Sequence, residues 1–337
     1  MKAHQEKVKA VILYGAVAPD APADEQDVLE EVGGIAGVLT RPGFSQVAVP
    51  VTLDLKKAAA TVLKHKPTFV FNLVESIEGS GRFIHMVPSL LDFLGVPYTG
   101  APTEGMFLTS NKLIAKEVMA ANGLPTIPWA TETMIHKGEV PFETPCLLKS
   151  SWEHASIGIK DDSFITRRED LVPLLDKRAD GTGRGLYLEP YVEGREFNVA
   201  MLGGDNGVEV LPVSEILFTN YPAGKPRLVD YRAKWVEDSF EYENTPRTFE
   251  FEGDDLKLVD DLKRISLDCW RVFGLRGYAR VDFRIDMAGN PLIMEINANP
   301  CINPESGFIY TSQEIGLDYA GIIERIIQDS IPGFKYS

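Results

Sequence analysis

Arg280-Val281-Asp282-Phe283 and Met294-Glu295-Ile296-Asn297 are two short alternating runs, joined through a turn-forming stretch, Ala288-Gly289-Asn290-Pro291. Such a pattern predicts a hairpin. Side chains alternate faces along a strand, so Arg280 and Asp282 share one face, as do Glu295 and Asn297. A hairpin centred between Ala288 and Gly289 sets Asp282 opposite Glu295 and Arg280 opposite Asn297. Val281, Phe283, Ile285, Met294 and Ile296 then form an apolar back. Facing carboxylates repel. A hard divalent cation relieves that repulsion, and Asp, Glu and amide oxygens suit Mg2+. A guanidinium beside the ion faces phosphate oxygens. Had Asp282 and Glu295 stood alone, a solvated outer face would account for them equally well. Arg280 and Asn297 in the same register favour a nucleotide-phosphate site.

The 337-residue chain is long for one core, so two or three subdomains are expected. Its apolar fraction of 44% and charged fraction of 25% are those of a soluble globular protein. A net charge of -15 argues against a nucleic-acid partner, while local Lys and Arg clusters still allow an anionic ligand such as ATP. Cys146, Cys269 and Cys301 are widely spaced and odd in number, which fits reduced thiols better than a disulfide framework. No signal peptide or membrane span is read, and the cytoplasm is the expected compartment.

Strands are predicted at Val8 to Tyr14, Val47 to Val49 and Thr68 to Asn72, with helices at Asp24 to Leu39 and Leu55 to His65 between them. This alternation signals a parallel α/β layer of roughly a hundred residues. A helix from Phe83 to Leu94 runs into a boundary at Gly95-Val96-Pro97-Tyr98-Thr99-Gly100. One continuous helix is expected from Glu104 to Ala121, then strands near Ile127 to Trp129, Cys146 to Lys149 and Leu186 to Glu189. A helix from Asp254 to Phe273 leads into the hairpin, and the last helix runs from Tyr319 to Asp329. Asn220 to Thr248 is polar but keeps Tyr221, Tyr231 and Trp235, which suggests an ordered loop or lid.

Lys149 ends an apolar strand and opens a loop of small and polar residues that includes Glu153 and Ser156. A lysine charge with loop amides and hydroxyls can hold a triphosphate, although a solvated polar loop reads the same way. In Leu188 to Phe197, Tyr191 and the Val192 backbone could flank an adenine ring, and Glu196 could accept from a ribose.

Taken in order, these segments resemble the ATP-grasp superfamily and, within it, the D-alanine–D-alanine ligases, over nearly the whole chain. The resemblance is carried by Phe71-Asn72-Leu73, Leu94 to Gly100, Asn111-Lys112-Leu113, Tyr231-Arg232-Ala233-Lys234-Trp235, and Arg280 through Ser306. It implies an α/β fold, α+β in parts: an N-terminal parallel Rossmann-like domain (1–101) and two α+β subdomains (102–188 and 189–337) clamping ATP. It implies an ATP-dependent carboxylate–amine ligase working through an acyl phosphate, with a homodimer as the assembly. Lys112 and Lys149 would contact phosphates, Glu189, Tyr191 and Val192 would surround adenine, and Glu196 would hold the ribose. Lys234 would hold the transferred phosphoryl group. Asp282, Glu295 and Asn297 would bind two Mg2+ ions, with Mn2+ as the substitute. Arg280 would stabilise the acyl phosphate and the tetrahedral intermediate. The Cys301 amide would serve as oxyanion donor and Ser306 would bind the second substrate's carboxylate. A hinge salt bridge at Glu189 and a loop cap at Ser306 are the plainer alternatives.

The first-substrate end departs from the family pattern. The acid that holds the first substrate's ammonium has Asp27 as its nearest equivalent, and the serine that bonds this acid aligns with Ala155. Trp235 replaces the closing-loop tyrosine, Glu75 replaces a histidine, and His154 stands where glycine is usual. Asp27, Glu75, Trp235 and Arg82 are therefore candidates for selecting an amino-acid or peptide substrate. D-alanine dipeptide synthesis for peptidoglycan and ligation of another pair both fit. A regulatory nucleotide-binding protein that has lost ligation is the rival from another class, and phosphoryl transfer without an amide product is a third.

Overall fold

The computed structural model describes residues 8–152, 161–178, 185–331 and 333–334. Strands β1 (Val8–Gly15), β2 (Phe44–Val51) and β3 (Phe69–Leu73) form a parallel sheet in the order β2-β1-β3. Helices Ala23–Leu39 and Leu55–His65 make the crossovers that parallel strands require. The strands are near-continuous apolar runs because both faces are covered. One face packs with Val62, Val87 and Leu91; the other packs with Phe308, Ile322, Ile323 and Ile326 near the C-terminus.

A second sheet holds β4 (Ala130–Thr131), β5 (Cys146–Ser150), β6 (Phe164–Ile165) and β7 (Leu186–Pro190), in the antiparallel order β4-β7-β5-β6. Strand β4 starts after the segment expected to be extended, Ile127 to Trp129. Strand β7 runs through the expected limit at 188/189 to Pro190, so that limit cuts a strand.

The third sheet contains β8 (Gly194–Leu202), β9 (Glu209–Val210), β10 (Ser214–Ile216), β11 (Arg247–Thr248), β12 (Tyr278–Asp286) and β13 (Pro291–Asn297). Its order is β11-β10-β8-β12-β13, with β9 also on β8. Phe197, Val199, Val281, Phe283, Ile285, Ile293 and Ile296 pack on one face with the helix Asp255–Val272. Burying each such side chain stabilises the fold by roughly 1.5–3 kcal/mol. The opposite face is polar and builds the site.

Arg280 pairs with Asn297 and Asp282 with Glu295, the predicted register. Beyond Asp282 the pairing shifts to Phe283 with Ile293, a β-bulge that leaves Met294 as the extra residue. The apolar back therefore uses Ile293, and Met294 turns to the site, contrary to the sequence expectation. The expected helix over Glu104 to Ala121 is also interrupted. It forms as Thr103–Ser110 and Lys112–Ala121, because Asn111 is extended and its side chain accepts from Ile114 N at 3.0 Å. The 220–248 segment folds into the short helices Tyr231–Trp235 and Phe240–Glu243 before β11.

The N-terminal sheet meets the third sheet along a polar seam. Arg276 donates to Gly100 O at 3.0 Å, Tyr278 to Asn299 Oδ1 at 2.7 Å, and Asn299 to Val74 O at 3.3 Å. Gly277 has φ +75°, and a Cβ there would lie 2.9 Å from Gly100 Cα. Both the backbone conformation and the close approach require glycine.

Candidate active site

Pairing across the third sheet explains how distant residues meet. Arg284 lies opposite Glu196 and Glu196 opposite Ile216, which in turn lies opposite Arg247. One step along, Glu295, Asp282 and Asn198 stand in a row. Period-two alternation puts these side chains on one face. That face floors a cavity of about 1200 Å³ and, adjoining it, a smaller one of about 100 Å³. Glu196, Lys234 and Asp282 line both.

The smaller cavity lies between the second and third sheets. Apolar Ile127, Leu147, Leu228 and Met294 line it beside Tyr191 and Val192, and Lys112 and Lys149 stand at its edge. Glu189 is fully buried; its Oε1 lies 2.6 Å from Lys116 Nζ and its Oε2 2.6 Å from Lys149 Nζ. Burial raises a carboxyl's pKa, but Lys116 and Lys149 hold Glu189 down at about 2. Glu189 thus makes a buried salt bridge and also lines the smaller cavity. Lys116, which sequence reading passed over, is wholly enclosed and also donates to Ile127 O at 2.9 Å. Helix spacing could have found it, since it sits four residues after Lys112 on one face.

Arg284 was also missed. Its Nε donates to Val192 O at 2.9 Å, its Nη1 to Glu196 Oε2 at 2.9 Å, and its Nη2 to Arg227 O. Burial raises the Glu196 pKa and Arg284 opposes that rise. The Tyr191 hydroxyl accepts from Arg227 N at 2.9 Å, and its ring meets Phe164 edge-on at 5.2 Å. Arg284 and Tyr191 thus both tie the 220–248 segment to the cavity wall.

At the junction of the cavities, Arg280 grips Asp282 with two hydrogen bonds, at 2.7 and 2.9 Å. Asn198 donates to Asp282 Oδ1 at 2.8 Å. Burial opposes the Arg280 charge, yet Asp282 holds its pKa above the usual arginine value. Lys112 Nζ lies 3.0 Å from Glu295 Oε1, within ion-pair distance but without a well-aligned hydrogen bond. Asn297 Oδ1 accepts from Asn299 N at 2.9 Å. Lys234 reaches the junction from the short helix Tyr231–Trp235, whose first turn Asp230 caps. Burial and the neighbouring Arg280 lower the Lys234 pKa.

The donor set at the junction fits Mg2+. Among the described residues no three His, Cys, Asp or Glu side chains gather as a metal group. An ion held by Asp282, Glu295 and the Asn297 amide would therefore rely on phosphate and water oxygens for its remaining ligands, which is the usual habit of Mg2+.

The larger cavity runs on to Asp27, Glu75 and Cys301. Asp27 accepts from Cys301 Sγ at 2.9 Å and from Asn303 Nδ2. Glu31, one turn further along the same helix, is buried and accepts from Ile302 N. Sequence reading did not single it out. Burial and the neighbouring Glu75 raise its pKa well above the usual carboxylate range. Burial, then Asp27, push Glu75 to about 8, with Arg280 pulling the other way. The thiol of Cys301 is raised too, first by burial and then by Glu31.

Trp235 lines this cavity, and its buried indole N–H has no partner among the described residues. Ser306 lines it as well and caps the helix Gly307–Gln313, its Oγ accepting from Ile309 N at 3.4 Å. Arg82 stands 5.7 Å over the Trp152 ring and does not line the cavity, against expectation. Glu153, His154, Ala155 and Ser156 lie outside the described residues.

The family model "D-ala D-ala ligase C-terminus" matches residues 118–328. A D-alanine–D-alanine ligase of Oleidesulfovibrio alaskensis is 31% identical over 311 residues, covering 91% of this chain and 92% of that protein. An uncharacterized protein of Sinorhizobium fredii is 31% identical over 258 residues, covering 77% and 73%. The crystal structure of a D-alanine–D-alanine ligase from Bacillus anthracis complexed with ATP superposes with a TM-score of 0.72 at 18% identity, covering 96% of this chain and 97% of that one. That likeness establishes the fold.

Proposed function

This chain belongs to the D-alanine–D-alanine ligase family and is an ATP-dependent, amide-forming ATP-grasp ligase, and we propose that its two joined cavities hold the nucleotide and the two amino-acid substrates. The observation that carries the reading is the junction. Arg280, Asp282, Glu295 and Lys234 converge where the smaller pocket opens into the larger one.

In this reading Tyr191, Val192 and the apolar wall around Leu147 and Met294 receive adenine, and Glu196 accepts from the ribose. Lys112 and Lys149 hold phosphate oxygens, with Glu189 and Lys116 fixing where the Lys149 ammonium sits. Asp282, Glu295 and Asn297 would hold Mg2+, which would neutralise phosphate charge. Phosphoryl transfer to the first substrate's carboxylate releases ADP. Lys234 steadies the transferred group during that step. Attack by the second substrate's amine forms the C–N bond, and the acyl C–O bond then breaks to release phosphate. Arg280 faces the oxyanion that develops between these events, with the Cys301 amide as a second donor. Asp27 and Glu75 receive the first substrate's ammonium and Trp235 adds an N–H donor. Ser306 receives the acceptor's carboxylate. We place the domains at 1–101, 102–190 and 191–337, and the cytoplasm and a homodimer remain part of this proposal.

The test is ADP release from ATP and Mg2+ across D- and L-amino acids, singly and in pairs, with mass spectrometry of the products. An amide product supports ligation and names the pair. ADP release without an amide would replace ligation by phosphoryl transfer, and nucleotide binding with no ADP release would favour a regulatory role.

A further inference from the structure

Arg247 has no role in the scheme above. It sits on β11, opposite Ile216, and both side chains line the larger cavity. Its side chain is exposed to the cavity. Among the described residues no hydrogen bond or direct ion pair holds its guanidinium. Burial and then repulsion from Arg280 lower its pKa, yet an arginine stays charged. Asp282, a carboxylate that acts on it, is already bonded to Arg280 and Asn198. A guanidinium that faces the cavity with its donors free, beside another cation, offers an anionic group of a ligand a planar, bidentate partner.

That guanidinium packs close to backbone. It lies against Gly307, where an added Cβ would come within 2.6 Å of Arg247 Nη2. Gly307 directly follows Ser306, the residue assigned to the acceptor's carboxylate. Tyr242, Thr245, Tyr310 and Gln313 line the same cavity as Ser306 and Arg247. Its volume of about 1200 Å³ is above the usual span of small-molecule sites, although the phosphate end of the nucleotide shares it.

We propose that Arg247 binds a second anionic group of the acceptor, beyond the carboxylate held at Ser306, so that the acceptor is an acidic amino acid or a peptide ending in one. This rests on the ligase reading for the role of Ser306. Arg247 is then a specificity-determining residue, and Gly307 positions it.

The experiment compares glutamate with glutamine, and aspartate with asparagine, as acceptors in both chiralities, for the wild type, Arg247→Gln and Gly307→Ala. The expected wild-type preference for the acidic member is at least about tenfold in kcat/KM, a difference of ~1.4 kcal/mol. Both variants should erase it while leaving the KM for ATP unchanged. Gly307 is helical with φ outside the left-handed region, so alanine is tolerated by the backbone there. A second readout needs no turnover: glutamate and glutamine binding to the Mg2+–ADP-loaded protein, followed by tryptophan fluorescence. Equal binding of the two amino acids by the wild type, or an unchanged preference in both variants, overturns the proposal. Glutamate-selective binding lost in the variants, with no amide formed from any pair, would keep the anion site and reject the ligase reading.

Discussion

The phenol of Tyr231 donates to Asp24 Oδ1 at 2.7 Å, joining residues 207 positions apart. Asp24 lies in the first turn of the helix Ala23–Leu39, and Tyr231 opens the short helix that carries Lys234. The bond therefore fastens the segment over the junction to the N-terminal domain. Tyr231→Phe should cost about 1 kcal/mol of this closed arrangement. The expected outcome is faster proteolysis within 220–248 in the presence of nucleotide, with a lower kcat. Equal protection in wild type and variant would show that the bond does not govern closure.

Glu75 predicts a direction for stability against pH. Its carboxyl ionises near 4.5 when unfolded and near 8 when folded, through burial and Asp27. The folded state thus holds the extra proton between those values. The contribution is fully present below about 4.5 and is lost as pH rises through about 8. Glu75→Gln should flatten that decline and be more stable than the wild type at pH 9, measured as urea midpoints across the range. A steeper decline in the variant would contradict the assignment.

Glu189 sits between two lysines, one of them without access to solvent. Glu189→Gln leaves both cations uncompensated, and breaking a buried pair of this kind costs roughly 3–5 kcal/mol. A marked drop in thermal midpoint is expected, together with a raised KM for ATP because Lys149 loses its anchor. Lys116→Met should do less, since Lys149 can still neutralise Glu189. If Glu189→Gln unfolds at the wild-type temperature, the bridge is not a structural anchor.

Asp282→Ala removes the acceptor that Arg280 and Asn198 share. Loss of turnover by at least about 100-fold is expected from such a preorganised charge. The fold should survive, because Val281 and Phe283 on the opposite face are untouched. ADP release at the wild-type rate would remove the hairpin from the chemistry.

Much of this site could be read in the sequence wherever one short periodicity governed it. Arg280, Asp282, Glu295 and Asn297 were placed correctly because alternation along two adjacent strands sets their pairing. The bulge at Met294 escaped because one residue added to a strand leaves no mark in apolar spacing. The interruption at Asn111 was hidden by good helix formers on both sides, and only the capping geometry reveals it. Lys116, Arg284, Glu31 and Arg247 were passed over for another reason. Each acquires its meaning from neighbours on other elements, such as Glu189 for Lys116, Ile302 for Glu31 and Gly307 for Arg247.

The bulge also separates the hairpin's tip from its base. Between Asp282 and the turn the two strands are offset by one residue, while Asp282 and Glu295 remain face to face. The tip closes on itself, with Asp286 accepting from Ala288 N and Asn290 N, and Met287 is 80% exposed. Lengthening or tagging the chain at Met287 should leave the two carboxylates where they are, which makes this turn a practical attachment point for a fluorophore reporting on closure.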